Sequence, residues 1–185
     1  LFRSSSLRRQ CQLKALRPDL EVADLRGNVN TRIRKLQDGQ YDAIILACAG
    51  LERLGMDGLI TEELGPPRWL PAATQGTIGV QCRTDDNDVA NLIAVLSDAD
   101  AVLRTRAERA VATALQGSCQ VPLAVFAEIR EGGFRVSGMV GMPDGSELLR
   151  AESHGVPERA SELAAAVAED LIGQGADRII AALGQ

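Results

Sequence analysis

Apolar positions in the first part of the chain switch repeatedly between helical and strand spacing. Leu7, Cys11 and Leu16 lie on one helical face after Ser4, Ser5 and Ser6, whose hydroxyls suit an N-cap, and Arg17-Pro18 predicts the helix end. Residues 20–25 (LEVADL) read as a short strand and Arg26-Gly27-Asn28 as a turn. Val29, Ile33 and Leu36 then predict a second helix, capped by Asn28 or Asn30 and ended at Gln37-Asp38-Gly39. Residues 42–48 (DAIILAC) form a continuous apolar run of strand length, the kind buried on both faces of a parallel sheet, with a short helix over 50–54 after it. Strand, helix, strand and helix with short connections predict a parallel α/β unit with right-handed crossovers.

Gly65-Pro66-Pro67 interrupts this pattern, and residues 65–76 read as a connector. Residues 77–82 (TIGVQC) predict another strand, followed by a helix through Leu96 capped by Asp86 or Asp88. A longer helix starts at Asp98 or Asp100 and ends near Gly117. Residues 121–129, 134–142 and 147–153 then predict three strands, joined by hairpin turns at Glu131-Gly132-Gly133 and Pro143-Asp144-Gly145-Ser146. Amphipathic helices over 161–172 and 176–183 close the chain. The expectation is α/β: a partial parallel α/β domain over 1–70, a connecting strand and helix over 71–97, and a small α+β domain over 98–185 with a three-stranded antiparallel sheet.

Composition narrows the classes. Of 185 residues, 45% are hydrophobic and 3% aromatic, so the core is aliphatic and disorder is excluded. No apolar run is long enough to span a membrane and no signal-peptide pattern opens the chain, which points to a soluble cytoplasmic protein. Cys11, Cys48, Cys82 and Cys119 are widely spaced, which excludes a zinc ribbon or a compact disulfide scaffold and suits reduced thiols. The single histidine, His154, rules out a His-rich metal site and reads as a surface or turn residue. Cys48, inside an apolar run, is expected in the core.

Charge is distributed unevenly. Residues 1–36 hold nine basic and three acidic side chains, whereas the remaining 149 residues hold 11 basic and 22 acidic ones. A basic end on an acidic chain points to a localised anion site. Phe2 is the only aromatic there, so stacking on nucleic-acid bases has little support and a smaller polyanion fits better. Arg8, Arg9 and Arg32 fall in the first turns of their helices, where the helix dipole disfavours cations by about 0.3–1 kcal/mol. The same helix ends are natural anion sites. Arg26 and Arg53 fall just beyond predicted strands, at the carboxyl edge where open α/β sheets bind ligands. Each arginine alone reads equally well as part of a solvated face; the set of five favours one anion-binding cleft. Cys119 lies in a loop between a helix and a strand, where a thiol is either reactive or an inert small hydrophobe.

These blocks resemble one family. Ser5-Ser6-Leu7-Arg8-Arg9, then Leu25-Arg26-Gly27-Asn28-Val29 with Thr31-Arg32, are similar to porphobilinogen deaminase, also called hydroxymethylbilane synthase. So are Tyr41-Asp42-Ala43-Ile44-Ile45-Leu46-Ala47 before Ala49-Gly50-Leu51, and Leu70-Pro71-Ala72 before Gln75-Gly76. The most specific block is Glu108-Arg109, Leu115, Gly117-Ser118-Cys119 and Val121-Pro122. The resemblance runs along essentially the whole chain.

The resemblance implies a transferase of tetrapyrrole biosynthesis. It condenses four porphobilinogen molecules stepwise, with release of ammonia, onto a dipyrromethane cofactor joined by a thioether to a cysteine, here Cys119. Each ring of the growing chain bears an acetate and a propionate, which the resemblance assigns to Arg8, Arg9, Arg26, Arg32 and Arg53, with a hydroxyl from Ser6. Of these, Arg8, Arg26, Arg32 and Arg53 are implied for substrate, and Ser6, Arg8, Arg9, Arg26 and Arg32 for cofactor. No metal, nucleic acid or membrane partner is implied, and the full-length family member is expected to be a monomer with a periplasmic-binding-protein-like α/β part.

The departures carry expectations too. The family has three domains, and this chain is expected to lack the first third or more, including the catalytic aspartate, so no catalytic residue is assigned. Leu1-Phe2-Arg3 stands in place of the family's small and glycine residues, and Thr74 in place of its usual glycine. The chain alone is expected to be inactive unless complemented; the alternative is a non-catalytic polycarboxylate-binding fragment or remnant. Residues 77–94 are expected to return to the absent domain. Residues 98–185 are expected to fold on their own, with 1–97 less stable and prone to association.

Overall fold

The computed structural model describes residues 1–116 and 121–184. Its first part is a small parallel sheet in the order β2-β1-β3, with β1 (Phe2–Arg3) central, β2 (Val22–Ala23) on one side and β3 (Ala43–Ile44) on the other. Helix α1 (Leu7–Leu16) joins β1 to β2, and α2 (Val29–Gln37) joins β2 to β3. Asn28 caps α2 as expected, its Oδ1 accepting from the Thr31 N–H at 2.9 Å. Helix α3 (Cys48–Arg53) follows β3.

The sequence pattern overstates these strands. The stretches 20–25 and 42–48 each pair over two residues only, because their shared partner β1, which the pattern did not reveal, is itself two residues long. As an edge strand with one neighbour, β3 is half-buried rather than covered on both faces. Cys48 is not a core strand residue; it is the half-buried first residue of α3.

Residues 60–86 contain no helix and no strand. The expected strand over 77–82 does not form: no described residue pairs with it, and Ile78 and Val80 stand exposed. Helix α4 (Asn87–Ala94), capped by Asp86, buries none of its residues. A strand exists only where a ladder satisfies its backbone, so an apolar alternation without a partner remains extended coil.

The second part matches its pattern closely. Helix α5 (Ala99–Ala114), capped by Asp98, precedes the antiparallel sheet of β4 (Leu123–Arg130), β5 (Gly133–Gly141) and β6 (Leu148–Gly155), with β5 central. Helices α6 (Ala160–Gly173) and α7 (Ala176–Leu183) complete it. His154 is exposed on β6, opposite Arg135. Alternate residues of a strand face opposite sides, and β5 uses both. Val136 and Val140 pack with Val111, Val167 and Leu171 of α5 and α6. At Gly138 a Cβ would stand 2.8 Å from Val167 and 2.9 Å from Leu171, so the missing side chain lets α6 reach the sheet.

The opposite face of β5 docks the first part. Met139 and Ala124 form a cluster with Cys11 of α1 and Leu70, all fully buried or nearly so. Gly145, in the β5–β6 turn at φ +75, lies so close to α1 that a Cβ would come within 2.4 Å of the Ala15 nitrogen. Arg150 on β6 donates to the carbonyls of Pro67 and Arg68 at 3.1 and 3.0 Å. Residues 67–70 are therefore held between α1 and the sheet. Among the described residues, no helix is long and apolar enough to cross a membrane.

Candidate functional site

The junction between the two parts opens into a cleft of about 1080 Å³. Its lining comes from the start of α1 with Ser5, Ser6 and Arg8, from α5 with Arg109 and Thr113, and from residues 72–74. Gln116 and Val121, which flank residues 117–120 in sequence, also line the cleft. Cys119 is one of those four and lies outside the described residues.

Arg8 is the cleft's most unusual group. The first turn of α1 carries its side chain inward, where it is 9% exposed and donates to the Leu70 carbonyl at 3.0 Å. One turn further on, the fully buried Gln12 donates to the same carbonyl at 3.0 Å and accepts from the Leu70 N–H at 2.8 Å. The Gln12 amide thus fixes the Leu70 backbone, and Leu70 in turn orients Arg8. No ion pair reaches Arg8 among the described residues. Burial, helped by the charge of Arg9, pushes its guanidinium down to about 10. A buried cation with hydrogen bonds but no counter-anion is costly, and an incoming carboxylate removes that cost.

Arg9 adjoins Arg8 electrostatically and Arg32 adjoins Arg9, but neither is among the residues that line the cleft with Arg8. Arg9 donates to the Ile45 carbonyl, beyond the carboxyl end of β3, at 2.8 Å; Arg32 donates through Nε to the Gly27 carbonyl at 2.7 Å. Burial lowers the Arg9 pKa first and the charge of Arg32 second, with Cys48 acting in the opposite sense. Three arginines coupled through Arg9, none in an ion pair among the described residues, make a positive region at the parallel sheet edge. Arg26 lies exposed in the β2–α2 turn and Arg53 exposed at the last position of α3. Neither lines the cleft with Arg8.

Two serines divide their work. Ser5 Oγ is committed to backbone, donating to the Leu25 carbonyl at 2.7 Å and accepting from the Leu25 N–H at 2.9 Å. Ser6 occupies the N-cap position of α1 but makes no side-chain cap bond, contrary to the sequence expectation, and its hydroxyl lines the cleft. Cys11 is no rival for the reactive thiol: burial, then Asp144, pushes it up to about 12.

Glu108 is a buried residue that the sequence pattern gave no reason to single out structurally. Its carboxylate accepts from the backbone N–H groups of Thr74 and Ala127, the latter at 2.8 Å, tying the cleft floor to β4 through α5. Burial raises its pKa above the ordinary carboxylate range, while those two bonds and the charge of Arg104 oppose the rise. Thr74, at φ +60, sits in the left-handed region where glycine is at ease. No group of three or more His, Cys, Asp or Glu among the described residues is placed to hold a metal.

Comparison with known proteins agrees with this architecture. Residues 1–91 match the family model "Porphobilinogen deaminase, dipyromethane cofactor binding domain". Residues 102–173 match "Porphobilinogen deaminase, C-terminal domain". Porphobilinogen deaminases of two Xanthomonas campestris pv. campestris strains, B100 and ATCC 33913, are each 50% identical over 180 residues, covering 97% of this chain. The chain spans 59% of the length of these curated relatives. With both models following the two structural parts in order, and identity running through both, the chain belongs to the porphobilinogen deaminase family.

Proposed function

We propose that this chain provides the carboxylate-binding and cofactor-carrying part of a hydroxymethylbilane synthase, which condenses four porphobilinogen molecules with release of ammonia. The observation that carries this reading is Arg8: a buried guanidinium with no carboxylate partner among the described residues, on a cleft whose lining residues Gln116 and Val121 flank the stretch containing Cys119 in sequence. The cleft residues suit a polycarboxylate held at that cysteine. They supply that cation and the hydroxyl of Ser6, which makes no cap bond, and among the described residues no Asp or Glu lines the cleft.

When bound through the Cys119 thioether, dipyrromethane supplies the pyrrole end onto which porphobilinogen units are joined. The chain's own residues bind and orient. Arg8 receives a carboxylate with its guanidinium already oriented by Leu70, so little ordering is lost on binding. Arg9 and Arg32 take further acetate or propionate groups as bidentate partners, a geometry lysine does not reproduce. The Ser6 hydroxyl donates a hydrogen bond to a carboxylate oxygen. Arg26 and Arg53 meet substrate carboxylates from exposed positions. Leu7, Ala72 and Ala73 on the cleft walls exclude water and strengthen each charge pair. The same reading takes residues 1–70 as part of a periplasmic-binding-protein-like domain and the full-length family protein as a cytoplasmic monomer without nucleic-acid or membrane partners.

A second reading, polycarboxylate binding without turnover, is favoured by one feature. The cleft provides binding groups but no acid among its lining residues to manage pyrrole protons. Turnover of porphobilinogen by the chain, with and without the N-terminal part of a relative, separates the two.

Intact mass of the chain purified from cells that make porphobilinogen tests the cofactor assignment. A dipyrromethane adduct that disappears in Cys119→Ser is expected. A bare polypeptide mass in the unaltered chain refutes cofactor loading at this cysteine.

A further inference from the structure

The arginines assigned to the ligand so far all belong to the first part of the chain. The second part contributes to the cleft lining through α5. Arg109 and Thr113 are four positions apart on this helix and both line the cleft, as does Gln116 just beyond the helix end. A spacing of four residues puts Arg109 and Thr113 on one helical face, and Gln116, past the helix end at φ +49, joins them as a lining residue. Arg109 is exposed to the cleft and makes no hydrogen bond or ion pair among the described residues. Its sequence neighbour Glu108 is turned away, its carboxylate taken by the Thr74 and Ala127 N–H groups. Alternation along α5 thus buries the acid and leaves the base facing the ligand space. Elsewhere in the second part, Arg135, Arg159 and Arg178 are each paired with glutamate.

We propose that Arg109, with Thr113 and Gln116, is a second carboxylate-recognition element of the cleft that Arg8 also lines, and grips a further carboxylate of a pyrrole polycarboxylate. This rests on the proposed function above and extends it. A polycarboxylate held at two elements of the cleft, Arg8 from the first part of the chain and Arg109 from α5, is fixed in one rotation, which a set of arginines from one part alone does not fix. The guanidinium donates two parallel hydrogen bonds to one carboxylate, and Thr113 Oγ1 and the Gln116 amide remain available as neutral donors.

The test is equilibrium binding of a synthetic dipyrromethane tetracarboxylate to the purified chain, by calorimetry at low salt. Compared are the unaltered chain, Arg8→Ala, Arg109→Ala, Arg109→Lys and Arg106→Ala, each first checked for a cooperative thermal transition. Arg106 is an exposed arginine of the same helix outside the cleft lining, so its variant controls for lost net charge. The expected result is roughly tenfold weaker binding for Arg109→Ala and for Arg8→Ala, partial retention in Arg109→Lys, and no change in Arg106→Ala. The tetramethyl ester of the same probe is expected to lose the dependence on Arg109, since a purely structural role would persist with the neutral ligand. Arg109→Ala binding like Arg106→Ala while Arg8→Ala is weakened overturns this inference and leaves the proposed function intact. No binding by the unaltered chain overturns both.

Discussion

The antiparallel sheet registers eight residue pairs between β4 and β5 and eight between β5 and β6, whereas each ladder of the parallel sheet registers two. Burial follows the same division. The α5–α6 face of the antiparallel sheet buries a continuous aliphatic cluster extending from Ala107 to Ile179, while α4 buries nothing, and its Leu92 stands in solvent with Val95 and Leu96 just past its end. The difference is one of closure. Hairpins and the helices that follow them bring their partners along in sequence, so the second part completes its own core. The parallel sheet depends on non-local pairing, and its ladders extend only as far as the two residues of β1.

Equivalent substitutions in the two regions sharpen this contrast most. Leu171→Ala removes a fully buried side chain that packs against β5, and a loss of about 2–5 kcal/mol is expected from transfer and cavity terms together. Leu92→Ala, at a residue 71% exposed, is expected to change stability by no more than about 0.5 kcal/mol. Urea unfolding of both variants checks this. Comparable losses would mean that α4 is packed in solution and that the division drawn here is wrong.

Legibility in the sequence followed the same line. Hairpin turns at 131–133 and 143–146, the Asp86 and Asp98 caps and the α6–α7 pair were readable because each is specified by neighbours in sequence. The strand over 77–82 was not, because its alternating pattern states only that one face is apolar and says nothing of a partner. The site was legible in its arginines, which break the helix-dipole rule, and illegible in its scaffold. Gln12 and Glu108 act on backbone groups 58 and 34 residues away in the chain, and no local spacing announces such a bond. Arg109 was visible within a recognised block but sits mid-helix, where an arginine breaks no local rule.

The site itself lies on the boundary between the two regions, and Arg8 tests what that placement costs. Arg8→Met keeps much of the side-chain volume and removes the buried charge. Leu70 retains its partner, since Gln12 still donates to its carbonyl. The free chain is therefore expected to gain about 1 kcal/mol, as replacement of an uncompensated buried ion often does, while losing affinity for the polycarboxylate. A thermal melt read beside the binding isotherm decides it. Destabilisation with binding unchanged would make Arg8 a structural residue of the junction.

Thr74 carries the smallest effect and the sharpest statement about the junction. Its φ of +60 places a β-branched residue in the left-handed region, a conformation that costs on the order of 1–3 kcal/mol and persists only where surroundings impose it. Here the imposing contact is the bond from the Thr74 N–H to the buried carboxylate of Glu108, which fixes the cleft floor against α5. Thr74→Gly relieves the strain but returns conformational entropy to the unfolded chain, so the expected net gain is small, about 0.5–1 kcal/mol. In a Glu108→Ala background the floor is no longer tied, the backbone at position 74 is free to leave the left-handed region, and the gain from glycine is expected to vanish. A double-mutant cycle measures that coupling directly. Additive effects of the two substitutions would show that the backbone of the cleft floor is held by something other than Glu108.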